Sequence, residues 1–472
     1  MDEFDRNRLE AFRQLRQEVR QSEEYLIVGI DVAKDTHRAF FGTATGKTLL
    51  RRFTFSNDRK GFRELLEQAL RLMESHGLKQ EVYGMEPTAN YHKPLGEFLI
   101  IHGRTVVLVS GVTAKKNRET LDGRWDKHDT KDAANVADLI TQGKCLHYDY
   151  PSTQLRGLRG LLSLKKRLKK QEQGYRVRIR NQLIAQYYPE MDEAYGRRES
   201  EGLAIVRWCF PSSQMTLLEV EEFVQRVTRR PVKEKQRRRL EGIWEGAQET
   251  IGCDEVPGVE HEARGMVEGL GQIREMIKET ERKIEELCKT FPEYDSLLTI
   301  PGFGPDVSSK VLGAIGEADR FENGRQVLKL AGLDLGADRS GKESTKAVPK
   351  ISKQGKADLR YGLYQAALVA STRDRNVKMY YARQLEGRER EKGIKTKMRV
   401  KIAAKLLRIA WTLMKKKAVF DPSYLNIEGD WPERGEAKPM PARPAERRKK
   451  RSRATHGLIG HPLVETGACH RG

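Results

Sequence analysis

The sequence predicts a mixed α/β N-terminal domain, a central helical region and a mainly α-helical C-terminal domain. Three observations carry this reading. β-rich runs fill residues 25–55, helix and strand patterns alternate from there to about 142, and from 151 apolar residues recur at helical spacing among lysines and arginines. At 472 residues the chain has room for about three domains of roughly 150 residues each.

Phe4, Leu9, Phe12, Leu15 and Val19 stand at near-helical spacing and predict a short N-terminal helix within 1–24. The runs YLIVGIDVA (25–33), HRAFFGT (37–43) and KTLLRRFTF (47–55) read as a three-stranded meander with short turns. A helix follows, with Phe62, Leu65, Leu66, Ala69, Leu70 and Met73 on one stripe. EVYGME (81–86) and RTVVLVS (104–110) read as strands flanking a helix over 91–102, and another helix is predicted over 129–142. Three strands and then alternating helix and strand fit a ribonuclease-H-like sheet, which bounds the first domain at 25–150.

Residues 151–290 form the second region. Its first part, LRGLRGLLSLKKRLKKQEQGYRVRIRNQLIAQYY, predicts a long basic helix, and Met266, Leu270, Ile273, Ile277, Ile284 and Leu287 predict another over 261–289. The two can pair as an antiparallel coiled coil, the alternative being a plain helical spacer. Between them, 190–260 reads as a polar insert without sustained periodicity. In the third region, 291–425, the pattern is helix, turn and helix through IPGFGPDV, then a helix ending at AGL. A basic loop (334–358) and helices over 358–372 and 396–417 complete it. Beyond 425 the Pro/Arg/Lys-rich sequence, including ERRKKRSR (446–453), reads as a disordered basic tail.

The net charge of +21 is segregated: residues 151–190 hold 10 basic and 2 acidic side chains, 381–420 hold 13 and 3, and 431–472 hold 10 and 4. Clustered positive charge points to a polyanionic partner, nucleic acid first. No apolar run approaches the roughly 18–20 residues of a membrane span, and the charged N-terminus has no apolar signal core. Five scattered cysteines without CxxC spacing argue against a disulfide framework or a cysteine zinc site. A cytoplasmic, nucleoid-associated protein with no membrane partner is expected.

Four carboxylates carry the first candidate site. Asp31 ends the apolar run IVGID, where a carboxylate is costly unless it faces a cation, a base or solvent. Glu86 closes a second predicted strand, immediately before Pro87. Asp129 and Asp132, three apart in KHDTKDAAN, fall on one face of a helix starting there. Such a set can hold two Mg²⁺ ions, which prefer oxygen ligands, and two ions can serve both the attacking and the leaving oxygen of a phosphodiester. Ser340 in DRSGK lies in a Gly-flanked basic loop with Arg339, Lys342 and Lys346; its hydroxyl needs a base or metal to become a nucleophile, and taken alone it reads as an ordinary loop residue. Gly302 and Gly304, before a helix N-terminus, resemble a helix–hairpin–helix turn whose backbone N–H groups approach a phosphate; the alternative is a tight interhelical turn. GTATGKT (42–48) imitates a phosphate-binding loop but has one residue too few before GK and sits between two strands, so it reads as a hairpin turn.

Together these motifs resemble transposases of insertion sequence 110 type, the bridge-RNA-guided DEDD recombinases, over about residues 25–415. The N-terminal half is similar to their RuvC-like domain through GIDVAKDTH, MEPTANYHKPL, VSGVTAKKNRE and DKHDTKDAANVADLI. The C-terminal half is similar to their transposase domain through LLTIPGFGPDVSSKVLGAIGEADRF, LAGLDLGADRSG and ISKQGKADLRYGLYQAA. The resemblance implies that Asp31, Glu86, Asp129 and Asp132 are a Mg²⁺-binding tetrad and that Ser340 is a nucleophile forming a covalent link to DNA. It implies a structured guide RNA that pairs with donor and target DNA, and a homo-oligomer, dimer or tetramer, assembled through the coiled coil. Lys115, Lys116, Arg118, Gly302, Gly304, Arg339, Lys342 and Lys353 are expected to contact nucleic acid, as are the basic helices over 151–180 and 396–417. The chain departs from the family at Ser110-Gly111, where Asn-Pro is frequent, and at Leu335, where Pro is usual. The alternative enzyme is a RuvC-like junction resolvase or nuclease using a metal-activated water; the alternative non-enzyme is a scaffold with a degenerate site.

Overall fold

The computed structural model describes residues 17–20, 22–87, 89–121, 129–148, 150–336 and 350–425. Residues 17–20 are helical; the rest of the predicted N-terminal helix, the Ser340 loop with Arg339, Lys342 and Lys346, and the 426–472 tail lie outside the described residues.

Strands β1 (Tyr25–Asp31), β2 (Thr36–Thr43) and β3 (Thr48–Ser56) form the expected antiparallel meander. The 43–48 segment is a hairpin turn, with the Lys47 N–H donated to Thr43 Oγ1 at 3.1 Å. Helix α1 (Arg59–His76) is capped by Asp58, whose side chain accepts from Gly61 N, and ends at Gly77 in the left-handed region. Then come β4 (Gln80–Met85), α2 (His92–Ile101), β5 (Thr105–Leu108), α3 (Gly111–Leu121), α4 (Asp129–Thr141) and the two-residue β6 (Leu146–His147). The six strands lie in the order β3-β2-β1-β4-β5-β6, with β1, β4 and β5 parallel. This is the ribonuclease-H-like arrangement the element order predicts. Sequence periodicity missed α3, whose GVTAKKNRETL carries no apolar stripe.

Side chains alternate across the sheet and so sort its residues between two cores. Leu26, Val28 and Ile30 of β1, with Tyr83 and Met85 of β4, pack with Phe62, Leu65, Leu95 and Leu99 of α1 and α2. Ile27 and Val82 point the other way, to Val136, Ala137 and Ile140 of α4.

From the sheet the chain enters α5 (Thr153–Arg178), capped by Ser152, whose last turn runs into a π-helical turn at Ile179–Ile184. Helix α11 (Val259–Cys288) returns alongside α5. Lys165 meets Glu281 at 2.9 Å, Glu172 meets Arg274 at 3.1 Å, and Gly269 closes on the Tyr175 ring, so the pairing is antiparallel.

The segment between them corrects the polar-insert reading of 190–260. It folds into α6 (Met191–Arg197), α7 (Glu199–Trp208), α8 (Ser212–Thr216), α9 (Val220–Thr228) and α10 (Glu234–Gln248) around a core that includes Tyr188, Phe210, Phe223 and Leu240. Four of these helices are 5 to 10 residues long, and the 15-residue α10 buries only Leu240 and Ala247, so no sustained apolar period stands out.

Helices α12 (Glu293–Leu298) and α13 (Pro305–Ile315) flank the IPGFG turn. Next come α14 (Gly324–Ala331), a short pair β7 (Leu335–Gly336) and β8 (Lys350–Ile351), then α15 (Ala357–Arg373), α16 (Arg375–Leu385) and α17 (Ile394–Lys416). Helix α16 was not visible in the sequence. Among the described residues no helix is long and apolar enough to cross a membrane.

Candidate active site

Parallel pairing of β1 with β4 sets Ile30 opposite Met85. The next residue on each strand is a candidate carboxylate, so Asp31 and Glu86 leave the sheet side by side at the C-terminal edge. Alternation puts both on the face that carries α4, because Ile27, Gly29 and Asp31 share one parity, as do Val82, Gly84 and Glu86. Asp31 and Glu86 are each half-buried.

The same face explains why α4 lies so close. A Cβ on Gly29 would stand 2.2 Å from Ala133 O and 2.6 Å from Ala137 N, and one on Gly84 would stand 2.3 Å from Ile140 Cδ1. Gly29 thus lets the helix backbone rest on β1, and Gly84 in the adjacent strand makes room for the Ile140 side chain. This brings Asp132, next to Ala133, toward the edge where Asp31 emerges. Asp129 starts the helix one turn earlier, and its side chain is outside the described residues.

Asp132 is 7% exposed, and Arg118 Nε of α3 lies 2.6 Å from its Oδ1. The contact is an ion pair without hydrogen-bond alignment, since both atoms are buried and neither completes a hydrogen bond. Below it, Asn117 donates to Asn135 Oδ1 (2.8 Å) and Asp138 Oδ2 (2.7 Å), while Asn135 donates to Ala114 O (2.8 Å). This polar ladder docks α3 on α4; sequence reasoning passed over it, though the asparagine in AKKNRE was its available signal. Gly111, at the start of α3, closes on the site: a Cβ there would meet Glu86 Oε1 at 2.8 Å. That glycine stands at one of the chain's departures from the family pattern.

On the other side of Asp31 the chain turns sharply into β2. The turn is tied by Ala33 N–H donated to Nδ1 of buried His37 at 3.2 Å. Burial holds the His37 pKa below its ordinary value, against a hydrogen bond with Asn57, which favours the neutral ring that accepts this bond.

Asp31, Glu86 and Asp132 offer only oxygen donors, the set a hard divalent cation takes. Among the described residues no three His, Cys, Asp or Glu side chains are gathered closely enough to hold an ion, and Arg118 occupies Asp132. Holding a cation there requires Arg118 to give way.

The other sequence-derived residues are spread more widely. Lys115 and Lys116 are exposed on α3. Arg118 faces Asp132 instead of solvent. Gly302 has φ +82°, and a Cβ on it would meet Ala366 O at 2.3 Å, so the turn packs its backbone on α15. Gly304 has open space around it and precedes Pro305 at the start of α13, whose first-turn Asp306 accepts from Lys165 and Lys310. Lys353 is exposed with φ +56°, just beyond β8.

The family model for IS110 DEDD transposases matches residues 28–189, and a second, described as transposase of the IS116/IS110/IS902 family, matches residues 294–382. Together they span more than half of the chain. The chain belongs to the IS116/IS110/IS902 family of transposases. It is therefore an enzyme acting on DNA, with a RuvC-like DEDD domain at its N-terminus, and domains of this kind generally work with divalent metal ions. This IS110-type transposase is 22% identical over 406 residues to the insertion element IS116 uncharacterized 44.8 kDa protein of Streptomyces clavuligerus, covering 84% of this chain and 96% of the relative. It is 23% identical over 321 residues to a protein named as a mini-circle transposase for IS117 in Streptomyces coelicolor, covering 64% of this chain and 75% of that one.

Proposed function

We propose that this transposase excises and inserts its element by strand exchange through a serine–DNA intermediate, guided by a structured RNA. The observation that carries the catalytic reading is the placement of Asp31 and Glu86 as neighbours on the α4 face, with Asp132 on the helix above them. In this reading Asp31, Glu86, Asp129 and Asp132 hold Mg²⁺, which when bound would lower the barrier for both the attacking and the leaving oxygen. Ser340 Oγ attacks the scissile phosphorus and loses its proton to a base. An Oγ–P bond forms, the P–O bond to the deoxyribose oxygen breaks, and that oxygen leaves protonated. Reversal of the step onto a second strand completes exchange. In this reading Ser340 of one protomer meets the tetrad of another, in a homo-oligomer assembled through the α5/α11 pair. Base pairing by the RNA supplies the sequence choice, and the basic faces of α5 and α17, with Lys115, Lys116, Arg339, Lys342 and Lys353, hold phosphate backbones.

The test is a trapping assay. The purified protein is incubated with Mg²⁺, RNA transcribed from the element's flank and labelled junction DNA, then denatured. Labelled DNA comigrating with the wild-type protein and absent from Ser340→Ala supports the serine intermediate. Nicked DNA without an adduct, unchanged in Ser340→Ala, supports the water-using nuclease.

A further inference from the structure

A groove of about 580 Å³ runs between α5, α13 and the start of α15, within the roughly 300–1,000 Å³ of ligand sites. Its lining is basic: Arg159, Lys165, Lys166, Lys169, Lys310 and Lys356, with Asp358 the one acidic lining residue. Several of these charges are already answered. Lys165 and Lys310 bind Asp306 at 2.7 and 2.6 Å, and Lys166 binds Asp358 at 2.7 Å. Lys356 differs in that the like charges of Arg159 and Arg320 bear on it. Burial first, then those two cations, push its pKa down to about 8. The residue is exposed overall, so the groove dries it only in part. An ammonium crowded by like charge is relieved by an anion.

The groove also carries an aromatic. Tyr361 lines it and is 64% exposed, the condition of a ring with a face open to a planar partner. The tyrosines of α16 differ: Lys405 Nζ stands 5.1 Å from the Tyr380 ring centroid and Arg399 Cζ 5.6 Å from that of Tyr381. A positive groove with an exposed ring is the arrangement by which proteins hold unpaired nucleotides, phosphates on the cations and a base on the aromatic.

We propose that this groove binds single-stranded DNA, with a base stacked on Tyr361 and its phosphates on Lys356 and Arg159. DNA is chosen over RNA because a transposase acts on DNA and must open strands to exchange them. The inference rests on the chain acting on DNA and not on the serine chemistry, so it and the adduct assay can fail separately.

Fluorescence anisotropy on the full chain tests it, using labelled oligothymidylate, a DNA duplex and oligouridylate. Tyr361→Ala should weaken oligothymidylate binding about tenfold, at the low end for one stacked base, while Tyr361→Phe stays within about twofold of wild type and duplex binding is unchanged. Lys356→Gln should reduce the magnitude of the salt slope for the single strand by about 0.7. Unchanged urea midpoints establish that the variants are folded. The proposal is overturned if Tyr361→Ala leaves oligothymidylate binding intact or weakens the duplex equally. It is also overturned if oligouridylate binds more tightly and carries the Tyr361 dependence, which would make the groove an RNA site.

Discussion

Gly29 and Gly84 are partners across the parallel strands β1 and β4, and α4 lies on both. Gly29 lets the helix backbone rest on its strand, and Gly84 admits the Ile140 side chain beside it. The distance of that helix from the sheet is what sets Asp132 relative to Asp31 and Glu86.

Gly29→Ala should therefore destabilise the protein by about 1–3 kcal/mol, since the new Cβ meets backbone that only a shift of α4 can clear. Gly84→Ala meets the side chains of Ile140 (Cδ1 at 2.3 Å, Cγ1 at 2.9 Å) and Val107 but no backbone, so a rotamer change can relieve part of the clash and it should cost less. Urea unfolding of both variants measures the order; a larger loss at Gly84 would contradict it.

Gly111→Ala separates activity from stability. Its Cβ would press on Glu86 Oε1, the end of a side chain that can swing away. Strand cleavage on junction DNA should fall about 10- to 100-fold, the scale of a misplaced catalytic group, with the urea midpoint nearly unchanged. Full activity would show that the Glu86 carboxylate need not keep this position.

Arg118→Ala removes the partner of a buried carboxylate. Without metal it should lower stability by on the order of 1–3 kcal/mol, less than for a fully buried pair, because Arg118 keeps 18% of its side chain exposed. Mg²⁺ should then raise the thermal midpoint of the variant more than that of wild type, because the cation no longer competes with the guanidinium. Equal Mg²⁺ effects on the two would remove Asp132 from the cation site.

The cysteines give a pH-dependent test of the helical region. Burial pushes the Cys209 and Cys288 thiols up to about 12. The thiolate is the reactive form, so a raised pKa leaves almost none near pH 8, and both should resist alkylation in the native protein until unfolding exposes them. Cys253 is exposed and should react without denaturant. Mass spectrometry after native labelling at pH 8 assigns the sites; modification of Cys209 or Cys288 would show that their helices open.

What the sequence made legible follows the apolar pattern. β1 and β4 announce themselves as apolar runs, and each run stops at a carboxylate, so Asp31 and Glu86 could be placed at strand ends before their pairing was known. Asp132 followed from helical spacing. Helix α3 was hidden because it docks through Asn117, Asn135 and Asp138, bonds that leave no hydrophobic period. The bundle over 191–248 was hidden for another reason: its core is assembled from several short helices, each contributing only a few apolar residues. The Arg118–Asp132 pair, which spans two helices, had no local signal at all.

The antiparallel pairing of α5 with α11 has a consequence for how this chain tolerates change. Near the start of α5, Gly157 lies against Leu287 near the end of α11, so the chain departs and returns at one place after an excursion whose tip has its own core. The 26-residue α5 is a rod of about 39 Å and the 30-residue α11 one of about 45 Å. Matched deletions of whole turns from both rods would shorten the reach and leave the junction at Gly157 and Leu287 as it is. The arm is thus an adjustable part, whose length can change by matched turns while the junction at its base is kept.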